Sequence, residues 1–441
     1  MVVIGRKKKK ILGVFSLALL LCGCDSFSKK DPLPGKRESY IDFGGLDIQA
    51  DASLKGKKPF IPHKKPRQHT TQALVNDDMD HVPSQLKIKE DPMWSLSVGA
   101  GKTTDRLFFG HPVSDGDFIF VSDTDGKISA VRDQVKEGRG EILWTFDSIP
   151  EDARDNIGCA TLALDGSMLI VANPMGDVIA LDKRKGKQLW RTSLHAPIRV
   201  MPAVKDGRIF ISSIDGRTTA LDQQKGSILW THQGFTELSS IQGGASPVVK
   251  DDLVVASYSS GEVFVMRADN ETPLWSDTIT TALRSDSISS IPHIVGNPIV
   301  EKSILYAVSH GGRTAAFDLS SGTTSWQADV GSLVSPLLIG DALFIVDNNN
   351  RVICLQKETG KVYWVTALPL SLEGKPLLWT APIAVNEQLL MCSSSGDMMY
   401  LNLSDGSKYK HLHTKDGISS QPIVVKDHLY ILTDSGQLVK Y

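Results

Sequence analysis

Cysteine is scarce in this chain: five occur in 441 residues, at positions 22, 24, 159, 354 and 392. No Cys-x-x-Cys is among them, so a ribbon-type zinc site and dithiol redox chemistry have no basis here. His-Glu-x-x-His and Gly-x-Ser-x-Gly are also absent, and the eleven histidines do not cluster at metal-ligand spacings. An excess of positive charge is missing too. Of 48 basic residues five lie before position 24, and the remaining 43 face 50 acidic ones, a balance that argues against nucleic acid as a partner. Long apolar runs are confined to Ile11–Leu21, too short to span a bilayer with assurance. Gly99-Ala-Gly101-Lys102-Thr103 has the ending of a phosphate loop, but Leu96 stands where its first glycine belongs. No catalytic constellation survives these exclusions.

What is present begins with an export signal. Lys7 to Lys10 form a basic segment, and Ile11–Leu21 an apolar one of signal-peptide length. The run Leu21-Cys22-Gly23-Cys24 resembles the bacterial lipobox, which implies lipidation of Cys24 and removal of residues 1–23. Residues 24–88 are expected to be a flexible tether. Pro32, Pro34, Pro59, Pro62, Pro66 and Pro83 punctuate a polar stretch without a sustained period of 2 or 3.6.

From residue 89 onward one phrase recurs eight times. Its clearest copy runs from Pro202 to Asp222 and ends on Gly226-Ser-Ile-Leu-Trp230. Aligned on a turn residue, the copies centre on Gly126, Gly176, Gly216, Gly261, Gly312, Asn350, Gly396 and Gly436. Seven glycines and one asparagine fit a turn that needs positive φ. Trp144, Trp190, Trp230, Trp275, Trp326, Trp364 and then Tyr409 form a second landmark, and five of the tryptophans have a glycine four residues earlier. Proline opens the first strand of most units, where a missing N–H matters little. Four strands per unit at a period of roughly 40–50 residues predict a β-propeller. The last unit stops at Tyr441 one strand short, while Trp94–Val98 is a lone strand with no unit before it. Pairing the two closes the ring and sets the blade count at eight. Cys354 falls in the slot of Ala130, Ala180, Ala220 and Ala316, and Cys392 in that of Ser122, Ala172, Ser212 and Ser257. The cysteines of the exported chain therefore read as small buried thiols.

The repeat, Val-x-x-Asp/Gly-Leu-x-Val-x-Ser-x-Asp-Gly-x-x-x-Ala-Leu-Asp-x-x-x-Gly-x-x-x-Trp, resembles the pyrroloquinoline-quinone-type repeat over residues 94–441. Quinoprotein dehydrogenases share it, but they are typically larger and often use two adjacent cysteines, which this chain lacks. A lipobox followed by one propeller is similar instead to the outer-membrane protein assembly factor BamB family. That resemblance implies an all-β, eight-bladed propeller scaffold with no catalytic residue, cofactor or metal. It also implies a partner, the periplasmic domains of a BamA-like barrel-inserting protein, and lipid anchoring at the outer membrane facing the periplasm. Asp25 after the anchor cysteine is the residue that retains lipoproteins in the inner membrane of enteric bacteria. The family's partner surface maps onto loops 231–246 and 276–297. There Gln242 stands at the family's arginine, beside Ile241, and His293 and Val295 stand at its two aspartates. Leu283, Arg284 and Asp286 complete the candidate partner-binding set. Two other readings stay open: a different periplasmic lipoprotein scaffold with the same repeats, and a quinone-dependent dehydrogenase.

Overall fold

The computed structural model describes residues 48–62, 86, 90–134, 137–150, 158–235, 243–279 and 292–441. Eight four-stranded antiparallel sheets account for every strand among them. Each sheet is a blade whose strands run in chain order from an inner strand A to an outer strand D. Blade 3 is representative, with strands Ala203–Lys205, Arg208–Ser212, Arg217–Asp222 and Ile228–Gln233. Strands B and C are almost wholly buried, because each blade packs both faces against its neighbours, whereas strand D alternates toward solvent. Blade 8 takes Ile423–Val425, His428–Leu432 and Gln437–Lys440 from the C-terminus and Trp94–Ser97 as its fourth strand. The register is Trp94↔Lys440 through Ser97↔Gln437, which is the closure expected from the unmatched ends.

A carboxylate anchors this closure. Asp133 accepts hydrogen bonds from Trp94 Nε1 (3.1 Å), Tyr430 Oη (2.9 Å) and Lys440 Nζ (2.5 Å). Burial alone would raise the Asp133 carboxyl, but the bonds from Lys440, Tyr430 and Trp94 outweigh it and hold it below the ordinary carboxylate range. The first strand, the last strand and blade 1 therefore meet at one ionised group.

Between blades the tryptophans act as stitches. The indole N–H of Trp144, Trp190, Trp230, Trp275, Trp326 and Trp364 donates to a carbonyl of the next blade, at Lys183, Gln223, Ala268, Leu319, Lys357 and Leu403. Five of the rings, all but that of Trp230, also lie over a glycine in the turn joining strands C and D of that blade. A Cβ at Gly186 would sit 2.5 Å from the Trp144 ring, so the glycine is needed for the contact as well as for its φ of 65°. Across the strands five of these six tryptophans face an alanine or a cysteine, such as Ala220 opposite Trp230 and Cys354 opposite Trp364, and Trp275 faces Val265, at a β-bulge that repeats from blade to blade. Cys159, Cys354 and Cys392 are free and buried, in line with the repeat register.

Tyr409 departs from the expected landmark. Each of Trp190 to Trp364 follows its turn residue by fourteen positions, and Tyr409 follows Gly396 by thirteen. Lys410 therefore pairs with Tyr400 where a tryptophan would stand. A slip of one residue turns a strand side chain to the opposite face, and Tyr409 is 63% exposed.

Within the stretch expected to be a tether, the described residues 48–62 and 86 are docked on the ring. Ile48–Pro62 lies along blades 5 to 7: Leu54 is buried with Tyr363, Trp364 and Leu401, and Ile48 packs with Tyr306 and Trp326. Asp51 N–H donates to the Val362 carbonyl (2.9 Å), and Phe60 N–H to Asp341 (2.6 Å). Leu86 is buried between blades 7 and 8 with its N–H on Asn386 Oδ1 (2.6 Å). A few spaced apolar residues dock this segment without any periodicity, because it pairs with no strand and needs none.

Deleting residues 89–100 will strip the fourth strand from blade 8 and lower the melting temperature sharply. Trp94→Ala alone will cost about 3–5 kcal/mol, the usual range for removing a buried Trp side chain. Thermal unfolding followed by circular dichroism checks both, and a truncated chain that melts with the intact one would disprove the closure.

Candidate functional site

Two sets of loops define two faces of the ring. In seven of the eight blades the residue just after strand D donates its N–H to the carbonyl of the turn between B and C. Leu194 to Gly176 (2.7 Å), Gly234 to Gly216 (2.8 Å), Ile279 to Gly261 (2.8 Å) and Leu368 to Asn350 (2.9 Å) are examples, and Val98 to Gly436 (3.0 Å) carries the pattern into the closing blade. These bonds put the connections between blades and the B–C turns on one face. The C–D turns bond to the A–B turns, as in Gln223 N–H to the Gly207 carbonyl (2.9 Å), and occupy the other. Asn350 holds a φ of 61° in its turn, as its place among seven glycines requires.

On the first face the connections are tied to one another at their roots. Ser246 Oγ accepts from Met201 N–H (2.9 Å), Asn297 Oδ1 from Ser246 N–H (2.6 Å), and Ser335 Oγ from Asn297 N–H (2.9 Å). The connections from blade 2 to blade 6 thus form a chain of side chain-to-backbone bonds, and the roots of loops 231–246 and 276–297 stand side by side. Sequence reading passed over this chain, although it left a signal: Ser246, Asn297 and Ser335 each immediately precede the proline that opens a strand A.

Of the candidate binding residues, Cys24, Ile241, Gln242, Leu283, Arg284 and Asp286 lie outside the described residues. His293 is described, and it is buried, with 4% of its surface exposed. Its carbonyl accepts from His310 N–H (2.9 Å), and Gly244 lies close to its Nε2. Burial, followed by the neighbouring His310, pushes the His293 imidazole down to about 4, so the ring is neutral near pH 7. Phe235, at the other end of loop 231–246, is 71% exposed with its N–H on Glu262 (3.2 Å). Arg199 was not anticipated. It is half-buried, with its guanidinium 5.2 Å from the Phe109 ring, and burial lowers its affinity for the proton.

The phosphate-loop ending resolves into structure. Lys102 donates to Ser419 Oγ (2.7 Å) and pairs with Asp434 (3.5 Å), and no helix follows it. In the B–C turns Asp125 pairs with Arg106, and Asp215 with Arg217 (3.1 Å). A cavity of about 320 Å³ on the loop face is lined mainly by Leu107, Phe108, Leu333, Val334, Leu377 and Trp379.

An eight-bladed propeller of quinone-type repeats with its loops linked on one face is the class of protein these observations define. A sequence model described as outer membrane protein assembly factor BamB matches residues 125–366, from the first B–C turn to the outer strand of blade 6. The chain belongs to that family. It is 25% identical over 356 residues to the outer membrane protein assembly factor BamB of Yersinia pestis, covering 79% of this chain and 88% of that one. The Bordetella pertussis protein of the same name is 26% identical over 82% of this chain and 91% of its own. The crystal structure of BamB from Moraxella catarrhalis superposes with a TM-score of 0.68 at 20% identity, covering 79% of this chain and 98% of that one. A europium-containing methanol dehydrogenase reaches a TM-score of 0.65 at 15% identity, covering 81% and 88%, a likeness of fold alone.

The buried imidazole of His293 implies an acid-sensitive face. A base whose folded value lies below its ordinary 6.5 contributes stability that is complete above pH 6.5 and lost as the pH falls toward about 4. The loss amounts to about 3 kcal/mol at 1.36 kcal/mol per unit. His293→Gln will flatten the fall in melting temperature between pH 6.5 and 4. An unchanged acid limb in the variant would assign the titration elsewhere.

Proposed function

We propose that this chain is a non-catalytic scaffold of outer-membrane β-barrel assembly, held by a lipid on Cys24 at the periplasmic side of the outer membrane. The observation that carries this reading is membership of the BamB family, with the match extending through six blades. The relatives are outer membrane protein assembly factors by name, and the side-by-side roots of two adjacent connections supply a surface of the right kind. The partner is the periplasmic part of a BamA-like barrel-inserting protein. It docks on loops 231–246 and 276–297, with Ile241, Leu283 and Arg284 as central anchors, Gln242 and Asp286 around them, and the buried His293 beneath. Interface energy concentrates in a few such residues, commonly arginine and large apolar side chains. The dehydrogenase reading has only the fold in its favour.

Replacing Ile241→Asp and Arg284→Glu together will abolish co-purification of the barrel-assembly partner from envelope membranes while the melting temperature stays within about 2 °C, as for ordinary surface changes. Lys185→Glu with Lys187→Glu, in a C–D turn on the opposite face, will leave recovery unchanged. Full recovery with the first pair would show that the partner docks elsewhere.

Cys24→Ser will release the protein from the membrane fraction or leave its precursor uncleaved. Mass spectrometry of the mature chain checks this, and an unmodified N-terminus at another residue would remove the anchor. Sucrose-gradient separation of the two membranes decides whether Asp25 diverts the protein from the outer one.

A further inference from the structure

The connection between blades 2 and 3 carries a cation without a counter-ion. Among the described residues Arg199 makes no ion pair, and its Nε is buried with no hydrogen-bond partner. It lines a cavity of about 40 Å³ together with Ser212, Ser257, Tyr258, Gly244 and His293. No lining residue is acidic. Asp215, in the adjoining turn, is already committed to Arg217. Ser257 Oγ is a second buried polar atom without a partner in the same cavity. Tyr258 and Ser212 are spoken for, since Thr218 Oγ1 bonds to both hydroxyls (2.9 and 3.0 Å).

Leaving the Arg199 Nε–H and the Ser257 hydroxyl desolvated and unbonded is costly, and the cost falls when an acceptor enters. The acceptor that satisfies both is a carboxylate, which takes two parallel N–H bonds from arginine and a third from a hydroxyl. A space of this size holds about three water molecules, or one carboxylate on a short stem. Its wall at Gly243–Ala245 and His293 continues directly into the roots of the two loops assigned to the partner. We infer that this cavity is a receptor for an aspartate or glutamate side chain of the docking partner, with Arg199 as the anchor and Ser257 as its second donor. The inference rests on the docking face proposed above and adds the charge its occupant must carry. Stacking on Phe109 holds the guanidinium in place, so little side-chain freedom is lost on binding.

The test uses the full chain with Arg199→Gln and Ser257→Ala, each first shown to melt like the parent. Acetate serves as a probe, titrated against the purified protein at constant ionic strength and followed by nuclear magnetic resonance. In parallel, the barrel-assembly partner is recovered from envelope membranes. Saturable acetate shifts at His293 and Gly244 are expected in the parent and absent in Arg199→Gln. Partner recovery should fall roughly ten- to a hundredfold in Arg199→Gln, the worth of a charged hydrogen bond, and less in Ser257→Ala. No saturable shift in the parent overturns the receptor. Acetate binding lost in Arg199→Gln with partner recovery undiminished overturns the assignment to a partner side chain. Recovery that falls with Arg199→Gln but survives the Ile241→Asp, Arg284→Glu pair upholds the receptor and refutes the loop anchors instead.

Discussion

The ring depends on an indole of one blade lying against the C–D turn of the next, with its N–H tied to a carbonyl there. Sheets packed face to face by aliphatic side chains alone can slide, since dispersion has little direction. A hydrogen bond across each of these seams fixes the register between blades, and in most of them the flat ring accepts a glycine on one side and an alanine or cysteine on the other. One residue type thereby sets the spacing of six successive seams, and Trp94 repeats the contact at the seam between blades 8 and 1, with Asp133 as its acceptor.

The seam between blades 7 and 8 is the exception. Tyr409 faces solvent there, and no indole crosses. Val385, Leu390, Met398, Leu429 and Val439 pack across it, and Leu86 joins them from outside the repeats. The chain thus supplies from its N-terminal segment an apolar group at the seam whose own repeat lacks the ring.

The propeller was legible because its signals are local and repeated: a turn residue with positive φ, a proline opening strand A and a tryptophan at constant spacing. The slip at Tyr409 was legible in principle too, since thirteen residues instead of fourteen reverse a strand side chain, but an aromatic residue in roughly the right place masked it. Leu54 and Leu86 could not be read in this way. Their burial follows from long-range contacts that leave no period in the sequence. The candidate site divides similarly. That two neighbouring connections share a face followed from blade order, whereas the unpaired state of Arg199 depends on which acids its surroundings withhold, and only coordinates reveal that. His293 was chosen by alignment to a family position, and its burial against His310 was invisible in the sequence.

The docked N-terminal segment has a mechanical consequence. Its described contacts run outside blades 5 to 8, from Ile48 through Leu54 to Leu86, before the chain enters the ring at Trp94. No described residue outside the repeats braces blades 1 to 4, whose outer strands instead show Ile142, Leu189, Ile228, Leu229 and Leu274 to solvent. Along blades 5 to 8 the described segment therefore acts on the ring as a splint does on a hoop. A load on the ring meets that added stiffness at blades 5 to 8, and among the described residues the face carrying Arg199 and the root of loop 231–246 has no such splint beside it.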